Sequence, residues 1–198
     1  MLKRRGVVAL VVAIAAAGCS GGDDDGPERA SRTNESPNTS KVTGPLCDLL
    51  PSGDDPGAPE TLTDETADVA LQWIPVVTTF ESAVRAAGLA DDLRRADGIT
   101  ILAPTDDAFA AAFDRQKLDD LLLSRHGELQ ALLRAHLIDG RLSLAALRDA
   151  DSVTTLAGGK LTVAPAGAMA RFGDRATTVC ADYDVANARI HVVDGLLR

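Results

Sequence analysis

The sequence predicts an α+β domain over residues 60–198, and three observations predict it. Apolar residues recur at helical spacing in the first part of this region. Strictly alternating stretches come later, and glycine or asparagine turns separate them. Helices first and strands afterwards is the order of a segregated α+β architecture rather than of repeated βαβ units. A region of this size can bury a proper core.

Taken in order, "TADVALQWI" and "TTFESAVRAAGL" are helical. Phe80, Val84 and Ala87 share a face of the second, and Gly88 stands where a helix C-cap belongs. Trp73, the sole tryptophan, sits on the amphipathic first helix and is expected in the core. "ITILA" is a short β-rich run stopped by Pro104. In "TDDAFAAAF", Thr105 or Asp106 is placed to cap a helix, with Phe109 and Phe113 four apart on one face. "KLDDLLLS" and "ELQALLRAHLI" read as further helices. "VTTLAGGKLTVAP" reads as a hairpin around Gly158 and Gly159, and "TTVCADYDVANARIHVVDGLL" as a strand pair turning near Ala186 and Asn187.

The N-terminal part has a different character. Lys3, Arg4 and Arg5 precede an apolar run from Val7 to Ala17, the layout of a secretory leader over residues 1–18. The run is shorter than the roughly 20 residues a bilayer span needs. It ends at Cys19, directly after Ala16, Ala17 and Gly18, which resembles the lipobox of bacterial lipoproteins, cut before the cysteine and fatty-acylated on it. Ala16 replaces the usual leucine; a plain secretion signal with an incidental cysteine is the alternative reading. Acylation would hold the protein on the outer face of the bacterial cell membrane, with a secreted fraction, since stable anchoring takes more than one chain. Residues 19–59, rich in Gly, Ser, Asp and Pro, are too polar to offset chain entropy and read as a disordered tether, with order beginning near "TGPLC". The aspartates at 23–25 read as solvated tether.

With Cys19 acylated, Cys47 and Cys180 remain, and an even remainder outside the cytoplasm reads as one disulfide. Two buried free thiols are the alternative. The formal charge of −9 becomes −12 once the three basic leader residues are lost. An acidic surface repels phosphate backbones, so nucleic acid is excluded as a partner, and the membrane partner is reached through the covalent anchor. Only one Trp, one Tyr and four Phe leave few rings for stacking sugars.

Four blocks in order resemble a fasciclin-like (FAS1) domain: "TILAPTDDAFAA", "LLRAHLIDGRLSLAAL", "TLAGGKLTV" and "ARIHVVDGLL". The resemblance covers about residues 60 to 197. "TGPLC" with "TVCADY" further resembles secreted mycobacterial fasciclin-like antigens, in which a disulfide links equivalent places. The resemblance implies a wedge of two small packed β-sheets with helices along one side. It also implies an extracellular adhesion role, toward matrix, cell-wall or partner proteins or a glycan, rather than catalysis, and no cofactor. A small-ligand or lipid carrier at the envelope is the alternative. Ala135 stands where the family often has a tyrosine before the central histidine, so integrin binding is not carried over.

The resemblance marks Thr105, Asp106, Phe109, His136, His191 and Asp194 as signature positions, and each reads as structural. Asp106 and Asp107 are paired carboxylates, but at a helix start they favour free amides and the positive dipole end. His136 lies on an apolar stripe with Leu129, Leu132 and Leu133, and His191 between Ile190 and Val192. The histidines at 126, 136 and 191 lack metal-ligand spacing. No G-x-S-x-G elbow occurs, and Gly158 and Gly159 lack the lysine of a phosphate loop.

Overall fold

The computed structural model describes residues 41–198; the leader, Cys19 and the aspartates at 23–25 lie outside the described residues. Helices α1 (Ala67–Trp73), α2 (Thr78–Ala86) and α3 (Ala90–Arg95) come first. After strand β1 (Ile99–Pro104) follow α4 (Asp106–Ala112), α5 (Arg115–Leu123) and α6 (His126–Arg134). Strand β2 (Leu137–Asp139) leads to α7 (Leu144–Asp149). Strands β3 (Ser152–Thr154), β4 (Lys160–Ala166), β5 (Met169–Phe172), β6 (Ala176–Val185) and β7 (Ala188–Val193) complete the chain.

Local chemistry sets the helix ends. The side chains of Thr105, Asp114 and Ser143 accept the N–H groups of Ala108, Lys117 and Ala146, capping α4, α5 and α7. Helix α2 ends with Gly88 at a φ of 72°, the Gly88 N–H bonded to Arg85 O and the Leu89 N–H to Val84 O. That is the paired 5→2 and 6→1 closure that glycine permits without steric cost.

The strands run in the order β2-β1-β7-β6-β5-β4-β3. β1 and β7 are parallel, and the other neighbours are antiparallel. The two end strands approach each other: Ile138 bridges Thr155, and Leu156 N–H reaches Leu137 O at 2.7 Å. Strand alternation makes the folded sheet serve two cores. Ile101 and Ala103 of β1, with Ile190 and Val192 of β7, face a core shared with Phe80, Leu129 and Leu133 of the helices. Leu102 and Val193 face the other way, into a second core with Leu147, Val163 and Phe172. The α+β wedge is therefore as expected, and its two sheet limbs are continuous through the β5–β6 pairing of Arg171 with Thr177 and Phe172 with Ala176.

Several expectations need correction. Order begins near "TGPLC", as expected, so it is the boundary at residue 60 that moves toward the N-terminus. Thr43 pairs with Ala181, Leu46 N–H bonds Val179 O at 2.9 Å, and Leu50 is buried. Val42 and Leu46 pack on the first core, so this segment buries apolar surface. Trp73 is 51 % exposed, because it ends α1 while Ala70, Leu71 and Ile74 supply the buried side. The helix expected to run through "AHLI" stops at Arg134, and Leu137–Asp139 join the sheet beside β1.

Candidate functional site

The signature positions resolve into fasteners. Asp106, at the first position of α4, reaches across to the start of α2. Its Oδ1 accepts the Thr79 N–H at 2.6 Å and its Oδ2 the Thr78 hydroxyl at 2.9 Å. Both oxygens are committed, so the Asp106 and Asp107 pair is not arranged for acid–base work. Phe109 is buried in the first core. Asp194 accepts the Thr177 N–H and returns its own N–H to Thr177 O at 3.0 Å. Gly195 follows because a Cβ there would collide with the Arg175 carbonyl.

Both core histidines are fully buried. His136 donates from Nδ1 to Leu132 O at 2.8 Å and accepts the Leu197 N–H on Nε2 at 3.0 Å. That pairing fixes one neutral tautomer. Burial lowers its pKa to about 4, partly offset by the Leu132 bond. His191 donates from Nε2 to Leu142 O at 2.9 Å and accepts the Asp182 N–H on Nδ1 at 3.3 Å. Burial lowers its pKa as well. Asp182 lies in the β6 bulge between Cys180 and Tyr183 at a φ of 70°, and its carboxylate also accepts the Leu144 N–H at the start of α7. Bulges re-aim side chains in this way. Cys47 and Cys180 form a disulfide, which pins the N-terminal flank to β6.

A cleft of about 620 Å³ is lined by residues of α5, α6, the β3–β4 hairpin, the β5–β6 turn and the C-terminal segment. This is within the usual range for ligand pockets, about 300–1,000 Å³. Phe113, Leu121, Leu132, Leu161, Phe172 and Leu197 form apolar walls. Glu128, Lys160, Asp174 and Arg175 also line it, and the Arg198 guanidinium stands 4.9 Å from the Phe113 ring centroid. Buried behind this lining, His136 ties two of its residues together, through the Leu132 carbonyl and the Leu197 amide. No local pattern reveals this cleft, because its residues come from six separated segments. Phe113 was the one visible hint: it does not share the burial of Phe109 but turns out at the C-cap of α4 and stays half-buried. Among the described residues no group of three His, Cys, Asp or Glu is placed to hold a metal ion, and no helix is long and apolar enough to cross a membrane.

A family model described as Fasciclin domain matches residues 75–198. Protein sll1483 of Synechocystis is 33% identical over 121 residues, covering 61% of this chain and 66% of that protein, just under two thirds of its length. Among solved structures, a FAS1 domain pair from the insect cell adhesion molecule Fasciclin I is similar at 23% identity with a TM-score of 0.45. The match covers 61% of this chain and 44% of that one.

Proposed function

This chain belongs to the fasciclin domain family, and from that premise we propose a lipid-anchored cell-surface protein that presents its domain for adhesion to matrix, cell-wall or partner proteins. The family match carries the reading. The Cys47–Cys180 disulfide supports an oxidising compartment outside the cytoplasm, where such bonds persist. Cys19 behind its basic and apolar leader supports the anchor, and the polar stretch after it gives the domain reach from the surface. Every signature side chain is engaged in caps, bulges or core packing, which fits a rigid presenting scaffold better than a catalytic site.

The test is surface attachment of whole cells carrying the native chain, the Cys19→Ser variant or no copy. Cys19→Ser cells should shed the protein and attach as poorly as cells without it. Equal attachment by all three would remove the adhesion reading. One observation favours a second reading, a carrier of small apolar ligands at the envelope: the cleft braced by His136.

A further inference from the structure

We infer that the cleft binds a single-chain amphiphile with an anionic head, a fatty acid, with the chain along the apolar walls and the carboxylate at Lys160 and Arg175. The inference rests on the carrier reading and names its ligand class. Phe113, Leu132, Ala135 and Leu161 stay only half-buried in the empty cleft, although each packs against one of the two cores or lines the pocket. Contiguous wet apolar surface of this kind gains from an apolar occupant.

The charges at the rim point to the head group. Lys160, Arg175 and Arg198 all line the cleft and have no ion-pair partner among the described residues, as is also true of Arg115, Arg134, Arg148 and Arg171 elsewhere. Of the two carboxylates lining the cleft, Glu128 is held by Arg125 at 3.2 Å, which leaves Asp174 against three cations, Lys160, Arg175 and Arg198. The Gly173 N–H to Thr162 O bond, at 2.9 Å, continues the register that pairs Val163 with Phe172. The β4–β5 pairing brings the segments carrying Lys160 and Arg175 together among the strand-side residues that line the cleft. Leu121 and Leu132 of the helices supply apolar lining to the same cleft. One charged end and one apolar body describe an amphiphile. On a chain of net charge −9, three cations without ion pairs beside an apolar cleft are also where an anion meets least repulsion.

The experiment uses the full chain carrying Cys19→Ser and titrates dodecanoate, dodecanol and dodecyltrimethylammonium by calorimetry. Dodecanoate should bind saturably and roughly tenfold more tightly than dodecanol, the scale of one charge-assisted contact. The cation should bind most weakly. Lys160→Gln with Arg175→Gln, both exposed positions, should erase the preference and leave dodecanol binding unchanged. Ala131→Trp, on the exposed side of α6 where it lines the cleft, should weaken all three. Equal binding of dodecanoate and dodecanol would overturn the fatty-acid inference while leaving a carrier of apolar ligands intact. Absence of binding, or binding indifferent to Ala131→Trp, would overturn both.

Discussion

The imidazole of His136 accepts the backbone N–H of Leu197 at 3.0 Å, tying the segment after β7 to the end of α6. This bond exists only while Nε2 carries a lone pair.

A pH dependence follows from it. The unfolded histidine titrates near ~6.5, while burial lowers the folded pKa to about 4. Between these values the unfolded chain takes up a proton that the folded chain does not, so stability falls as pH drops from ~6.5 and levels off below ~4. The total is about 3 kcal/mol. His191, lowered by the same burial, adds in the same direction. Asp68 titrates in a lower window. Burial alone would raise it, but bonds from Thr66 and Arg94 hold it below its ordinary value, so its contribution persists above ~4 and is lost at lower pH. Urea midpoints should fall between about pH 7 and about pH 4.5, and His136→Gln should flatten that slope even where it lowers the stability at neutral pH. A midpoint unchanged across the interval would contradict the buried neutral pair.

Asp106 predicts a difference between neighbours. Asp106→Ala removes the acceptor for Thr79 N–H and Thr78 Oγ1 and should cost about 1–2 kcal/mol. Asp107→Ala, at an exposed position, should stay within about 0.5 kcal/mol of the parent. Chemical denaturation of both variants checks this, and equal losses would dissolve the distinction.

The disulfide closes a sequence separation of 133 residues. Replacing Cys47 and Cys180 together by Ser should cost about 2–5 kcal/mol, chiefly through a less constrained unfolded chain. Non-reducing peptide mapping should find the two joined, and thermal melting of the double variant should show the loss. An unchanged melt would argue that the flank contributes nothing.

Much of this fold is legible in residue spacing, and the exceptions have physical causes. The hairpins around Gly158 and Asn187, the cap at Thr105 and the closure at Gly88 all rest on local chemistry, and all appear where spacing puts them. Helix α3, "ADDLRR", escapes because it buries only Leu93 and so carries no apolar period. Strand β5 is four residues long and is defined by its partners across a bent sheet. Leu137 and Ile138 fit a helix or a strand equally well, and only the free edge of β1 decides between them. Cys47 in "TGPLC" marks where order begins, but the backbone bonds of Thr43 to Ala181 and Leu46 to Val179 that seat this segment on β6 follow from no local pattern. The cleft is illegible for the same reason: Phe113, Leu132, Lys160 and Arg175 meet only after the sheet has folded.

The central claim is that this fasciclin domain binds a component of the cell surface. Its most direct test is saturable binding of the full Cys19→Ser chain to separated envelope polymers, proteins and lipids, against the same chain reduced and heat-denatured. The account predicts saturable binding to one fraction, lost on denaturation. Folded protein that binds no fraction above the denatured control would contradict it.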